Sequence, residues 1–222
     1  MSHNELQPSE LGTKEYWDNT YSAEIENFKE FGDFGEIWFG DGCSSRITRW
    51  LEKNNIDKNQ SVIDLGCGNG MLLVKLAENE WKDLTGVDYS QNAIELATSI
   101  AKSQGVSINY QVWDLLSGEE VFEKEKFMIA LDKGTYDAIS LSPDDSAQCR
   151  RKYIEKVKDI LKPNGLLLIT SCNWTEEELR TSFCSSGFEV VSLIPAPQFQ
   201  FGGSSGNKVT SLVFKKTRSD KE

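Results

Sequence analysis

From Ser61 onward, short apolar runs alternate with segments of helical periodicity, and this alternation restricts the fold more than any other feature of the chain. SVIDL, starting at Ser61, reads as a buried strand followed by a helix near 69–78. LTGVDY is a second strand. SQNAIELATSIAKSQG is a helix with Ser90 as its cap, Ile94, Ala97 and Ile100 on its inner face, and Gly105 as its stop. SINYQVWD and FMIALD come next as strands. AQCRRKYIEKVKDIL is a helix ending before Pro163, and GLLLITSC is the fifth strand. TEEELRTSFCSSG opens with a capping box, Thr175 with Glu178. FEVVSLIP and KVTSLVFKK complete the series, joined by APQFQFGGSSGN. Strands separated by helices form βαβ units, so the pattern predicts an α/β fold with a mostly parallel sheet. The last two strands have no helix between them and are expected to pair antiparallel at one end.

The chain has 222 residues, enough for one domain with an appendage. Residues 1–56 lack the strand–helix alternation of the rest of the chain and read as an N-terminal helical and aromatic extension and lid. Residues 57–217 form the main domain and 218–222 a tail; residues 1–10 and the last few look like loose ends. The extension holds TKEYWDNTY, then FKEFGDFGEIWFG, then an amphipathic helix near 44–54 with Ile47, Trp50 and Leu51 on one face. Tyr16, Trp17 and Tyr21 share a helical face that packs over a ligand mouth or in plain core.

Charge and cysteine usage exclude several classes. The net charge of −11 opposes a nucleic-acid substrate and favours a basic or cationic partner. The five cysteines form no C-x-x-C pair, which fits free thiols in a reducing compartment better than a disulfide framework or a zinc site. His3 is the only histidine and stands in the polar N-terminus, so neither a histidine base nor a metal centre is expected. No apolar stretch is long enough for a membrane span, and the N-terminus lacks a signal-peptide core. The expected location is the cytoplasm, with the nucleus as a second compartment, and nothing demands more than a monomer.

The segment DLGCGNG sits after the first strand, where open α/β sheets bind ligands. Gly66, Gly68 and Gly70 make G-x-G-x-G rather than the dinucleotide G-x-G-x-x-G. Asp64 just ahead of the loop would repel a pyrophosphate and attract a cation. S-adenosylmethionine carries a sulfonium and an ammonium and no phosphate. Asp88, 22 positions after Gly66, is placed to accept hydrogen bonds from ribose hydroxyls, and Asp114 from an adenine amino group. Tyr89 and Leu115 flank these acids and can sandwich the purine. Cys67 reads as a small filler beside the cofactor, with a reactive thiol as the rival.

VIDLGCGNG, GVDYSQNAIELA, VWDLL, FMIALD and LKPNGLLLIT occur in order, and over residues 61–215 the chain resembles the class I, seven-strand S-adenosylmethionine-dependent methyltransferases. The resemblance implies a Rossmann-like, doubly wound, seven-stranded sheet with the last strand antiparallel. DKGTYDA together with GDFGEIWFG and KEYWDNTY resembles a narrower group, the protein-lysine methyltransferases that modify translation elongation factor 1-alpha. That implies a protein substrate, with no nucleic acid or membrane involved. Tyr136 departs from the smaller or aliphatic residue of some relatives.

The acceptor site falls at the end of the fourth strand, Asp132-Lys133-Gly134-Thr135-Tyr136. Asp132 is the residue expected to touch both the cofactor's methionine end and the acceptor, orienting the amine or passing its proton to water; a turn cap is its rival. Tyr136, Trp38 and Phe39 are candidates to wall the channel and hold a methylated ammonium by cation–π contact. Trp17 is placed at the cofactor, and Glu36 and Lys133 at the substrate. The run at 118–127 reads as a solvated loop, and QFQFGGSSGN as a flexible loop near the substrate. Two other readings share the cofactor residues: a small-molecule methyltransferase, and a catalytically silent cofactor-binding partner protein.

Overall fold

The computed structural model describes residues 5–196, 198–201, 204–207 and 209–217. His3 and the tail at 218–222 lie outside the described residues. In chain order, a 3-10 turn at Glu10–Gly12 leads into α1 (Lys14–Phe31) and α2 (Gly40–Lys53). The main series is β1 (Ser61–Leu65), α3 (Met71–Glu78), β2 (Asp83–Asp88), α4 (Gln91–Ser103), β3 (Asn109–Val112), β4 (Phe127–Lys133) and α5 (Thr135–Ser140). It continues with α6 (Ser146–Ile160), β5 (Leu161–Ser171), α7 (Glu176–Cys184), β6 (Phe188–Leu193), β7 (Gln198–Phe201), β8 (Ser204–Asn207) and β9 (Thr210–Lys216).

Seven strands form one sheet in the order β3-β2-β1-β4-β5-β9-β6, with β9 alone reversed. The expected α/β doubly wound architecture is present. The last strand is not at the edge but between β5 and β6. Its residues Ser211 to Phe214 are buried in succession, whereas β6 alternates between buried and exposed positions, so β9 takes the doubly covered place and β6 the edge. Two short elements differ from expectation. APQFQFGGSSGN is not all loop: its backbone forms the β7–β8 hairpin, with Gln198 opposite Asn207, while its side chains lie outside the described part. β5 begins at Leu161 and runs through Pro163, because the β4–β5 register shifts between Phe127 and Ile129 and the missing N–H falls at that irregularity.

Alternate strand residues point to opposite faces, and the core divides accordingly. Ile63, Leu65 and Ala130 pack with Tyr153, Val157, Leu179 and Phe183 from the side of α6 and α7. Val62, Ile129 and Leu131 pack on the other face with Leu72 and Leu76 of α3 and with Ile47 and Leu51 of α2. The apolar face of α2 is therefore part of the sheet's cover. α1 packs on α4 through Tyr21, Ile25, Leu96 and Ile100. The helix signals act as expected: the Ser90 hydroxyl accepts from the Ala93 N–H, and both bonds of the Thr175–Glu178 capping box are made. At 118–127 most residues are exposed, but Phe122 is buried against Trp113 and Phe127.

Candidate active site

β1 and β4 are neighbours with chain connections running away on opposite sides, so a crevice opens beyond their carboxyl ends. A cleft of about 320 Å³ occupies it. The cofactor half is built by the turn after β1. The N–H groups of Gly66 and Cys67 both donate to the Val87 carbonyl, at 2.8 and 2.9 Å, which folds the turn back onto β2. Gly66 and Gly68 have φ of +70° and +53°, the left-handed region that glycine enters freely. A Cβ at Gly68 would lie 2.6 Å from the Tyr21 hydroxyl of α1. Gly68→Ala is therefore expected to weaken cofactor binding about tenfold, by displacing Tyr21 and shifting the Gly68 N–H that holds Asp88. Isothermal titration against the parent protein checks this.

Asp88 closes β2 and is 5% exposed. Its carboxylate accepts the Gly68 N–H at 3.1 Å and the Ser90 N–H at 3.0 Å, leaving a further acceptor position on each oxygen. Burial pushes it up to about 6, moderated by those N–H groups. Asp114 is exposed at the cleft, and its Oδ1 accepts the Leu116 N–H at 2.9 Å, a turn that presents buried Leu115 as an apolar wall. Tyr89 forms part of the lining and donates its hydroxyl to Thr13 O at 3.4 Å. Trp17 lines the same half, 5.9 Å from Tyr21 in a stacked arrangement. Cys67 is buried in the lining, with burial holding its thiol well above the ordinary range, so it fills space rather than reacts.

The part of the cleft expected to take the acceptor lies between the end of β4 and residues 36–39. Lys133 Nζ donates to Trp38 O at 3.0 Å. Phe39 takes a φ of +61°, and its ring faces Gly134, where a Cβ would come within 3.3 Å of it. Glu36 is exposed on the lining. Burial pushes Lys133 down and Asp64 up to about 7, and their mutual attraction opposes both shifts.

Four expected site residues stand elsewhere. Tyr136 does not wall the channel: it is 1% exposed and packs among Tyr153, Trp174 and Phe183. Its place in the first turn of α5 rotates it beneath the sheet end. Asp132 is fully buried and absent from the lining; it accepts the N–H groups of Gly134, Thr135 and Tyr136 and the Tyr153 hydroxyl. It is a cap for α5 and an anchor for α6, with no lone pair directed to an acceptor. Asp64, 2% exposed, lies behind the glycine turn rather than at the ligand surface. Gly70 opens α3 against the Tyr110 hydroxyl and is likewise outside the lining. Thr135 of the expected acceptor segment lines the cleft, and the residues that line it without having been anticipated include Asn69, Asp137, Cys172 and Asn173. Asp137 accepts the Ser171 hydroxyl and the Cys172 N–H, fixing the turn after β5. The end of β5 was visible in the sequence, and the same rule that pointed beyond β1 applies there.

Among the described residues no cluster of His, Cys, Asp and Glu fits a metal, and no helix is long and apolar enough to cross a membrane. The methyltransferase domain model matches residues 56–216. EEF1A lysine methyltransferase 2 of Danio rerio is 49% identical, covering 95% of this chain and 89% of that protein. The Homo sapiens protein of the same name is 48% identical over 94% of this chain and 88% of its own. Protein-lysine N-methyltransferase EFM4 of Saccharomyces cerevisiae is 40% identical over 96% and 97%. In three dimensions the chain is similar to the [4+2]-cyclase SpnF, with a TM-score of 0.69, 16% identity and coverage of 96% and 98%. It is also similar to magnesium protoporphyrin IX methyltransferase from Synechocystis, at TM-score 0.59 and 16% identity, covering 89% and 97%. These two share the fold and differ in chemistry, so the fold alone does not decide the reaction.

Proposed function

This chain belongs to the methyltransferase domain family, and from that premise we propose that it is the S-adenosylmethionine-dependent protein-lysine N-methyltransferase of elongation factor 1-alpha. The observation that carries the reading is near-complete alignment with proteins named for that activity, and a cleft beyond the ends of β1 and β4 supports it.

The residues fit the cofactor. Gly66 and Gly68 keep the turn tight against the protein, since a Cβ would collide with Thr135 Oγ1 at the first and with Tyr21 Oη, 2.6 Å away, at the second. Buried Asp88 offers two free acceptor positions that would take ribose hydroxyls, exposed Asp114 on the lining would accept from the adenine amino group, and Leu115 with Tyr89 would wall the ring. S-adenosylmethionine, when bound, supplies an electrophilic methyl group on a sulfonium. The protein's task is then to bring a neutral lysine amine in line with it. Free lysine titrates near 10.4, so a neutral amine at pH 7 costs about 4–5 kcal/mol. The apolar walls from Trp38 and Phe39 and the Lys133 ammonium both favour the neutral form, one by desolvation and the other by like charge. Trp38 is 5.0 Å from Trp17 edge-on, which joins the acceptor wall to the cofactor wall. Glu36 on the rim faces the lysine's basic neighbours, as the charge of −11 also favours. We read the chain as a monomer acting in the cytoplasm, with the nucleus as a second compartment and no nucleic acid or membrane involved.

The test is transfer of labelled methyl groups from the cofactor to unmethylated elongation factor 1-alpha, with the modified lysine read by peptide mass spectrometry. Label on one lysine is expected; no label despite measurable cofactor binding overturns the substrate. Cofactor binding should also depend on pH. Ribose hydroxyls donate to Asp88 and so favour its ionised form, while the free group, raised by burial to about 6, takes a proton below that pH. Affinity for S-adenosylhomocysteine is therefore level above about pH 7 and falls as pH drops through 6, by up to roughly tenfold per unit. A flat profile in calorimetric titrations between about pH 5 and 8 would remove Asp88 from the ribose.

A further inference from the structure

The rim of the acceptor half, residues 34–38, belongs to no strand of the sheet, yet it is held on one side at every second carbonyl. Asn69 Nδ2 donates to Phe34 O at 2.9 Å and to Glu36 O at 3.1 Å, and Lys133 Nζ donates to Trp38 O at 3.0 Å. Gly35, between the two Asn69 partners, has a φ of +79°, so the rim curls around the amide and turns the Phe34 and Glu36 carbonyls toward the cofactor turn, while Trp38 O meets the end of β4. From the other direction, Glu24 Oε1 of α1 accepts the Glu36 N–H at 3.0 Å.

Asn69 is a member of the cofactor turn itself, flanked by Gly68 and Gly70, and is 7% exposed on the cleft lining. Its amide is fully committed. Both donors go to the rim, and Oδ1 accepts the Met71 N–H at 3.3 Å at the start of α3. Two carbonyl oxygens on one side and an N–H on the other leave one orientation for the amide. No other side chain of the turn bonds to residues 34–38 among the described hydrogen bonds.

We propose that Asn69 is a positioning residue that couples the halves of the site: a cofactor that orders the turn at 66–70 also orders the rim at 34–38, completing the channel for the acceptor lysine. This deepens the function proposed above and rests on it. Coupling of this kind is reciprocal, so an acceptor seated on the rim tightens cofactor binding by the same factor.

Asn69→Asp tests it. The substitution keeps the size and the oxygen facing Met71, where a negative charge near a helix N-terminus is favourable. It turns both donors into an acceptor facing two carbonyls. In the parent protein, S-adenosylhomocysteine is expected to slow amide hydrogen exchange in residues 32–39; in Asn69→Asp that response is lost. The KM for elongation factor 1-alpha rises about tenfold, and the factor by which bound cofactor tightens acceptor binding falls toward one. Asn69→Ser, which keeps an oxygen near the Met71 N–H and shortens the reach to the rim, is expected to behave the same way and serves if the first variant does not fold. Equal cofactor protection of 32–39 in parent and variant, or an unchanged acceptor KM, overturns the proposal. If the parent protein transfers no methyl group to the acceptor, the proposed function fails, and the exchange measurement still decides the role of Asn69.

Discussion

Asp88→Ala is expected to raise the dissociation constant for S-adenosylmethionine at least about a hundredfold and to remove measurable methyl transfer. Two hydroxyl donors on one carboxylate are worth about 1.5–3 kcal/mol each, and about 2.7 kcal/mol is already a hundredfold. The variant also loses the acceptor that holds the Gly68 N–H, and with it the shape of the turn. Stability should move much less. A buried carboxylate raised from 3.8 to about 6 gives the folded state the higher proton affinity. Its presence therefore destabilises the fold progressively from about pH 4 to pH 6, reaching on the order of 3 kcal/mol at neutral pH, and not at all below both values. Alanine removes that burden while leaving two N–H groups without partners, at about 1–3 kcal/mol each, so the two effects are of similar size. Calorimetric titration and a thermal melt separate them. Affinity within threefold of the parent would sink the ribose assignment.

Asp132→Ala is expected to abolish activity for a different reason, by loss of the fold around α5. The side chain satisfies three backbone N–H groups and the Tyr153 hydroxyl, with Tyr136 and Tyr153 buried and Gly134 and Thr135 half-buried at the cleft. Leaving those donors without a partner costs about 3–5 kcal/mol. For a domain of this size that is a drop of roughly 10 °C or more in the melting midpoint. Tyr136→Phe provides the contrast. It keeps the ring packed against Tyr153, Trp174 and Phe183, and should retain methyl transfer within about threefold with a loss of about 1 kcal/mol in stability. An Asp132→Ala protein that melts like the parent but is inactive would return Asp132 to the reacting atoms. A Tyr136→Phe protein that is stable and inactive would do the same for Tyr136.

These residues also show where sequence reasoning reaches its limit. Strands such as SVIDL and GLLLIT are legible because continuous apolar runs bounded by glycines and acids have few alternatives. Ser90 and Thr175 are legible as caps because the bonds they make reach only three residues. The glycine turn and Asp88, Asp114 and Leu115 are legible because spacing along a βα unit maps directly onto the end of the sheet. Asp132 reads as part of the cleft because it ends the fourth strand, where the acceptor site is expected. What removes it is Tyr153, 21 residues later, and a six-residue helix too short to show periodicity. Asn69 carries no signal of its own because its partners, Phe34 and Glu36, lie more than 30 residues earlier in a segment without a regular pattern. The β7–β8 hairpin is hidden by GGSSG, which has no alternation to read.

The interior position of β9 bears on how the chain is made. Among the described residues β6 pairs only with β9, and β9 comes after the other strands in the chain. While the polypeptide emerges from the ribosome at about 5–20 residues per second, β6 waits with an open ladder on both sides and β5 with one edge bare. Closure of the sheet is thus a late step in synthesis, and those edges stay open until Thr210–Lys216 slides between them.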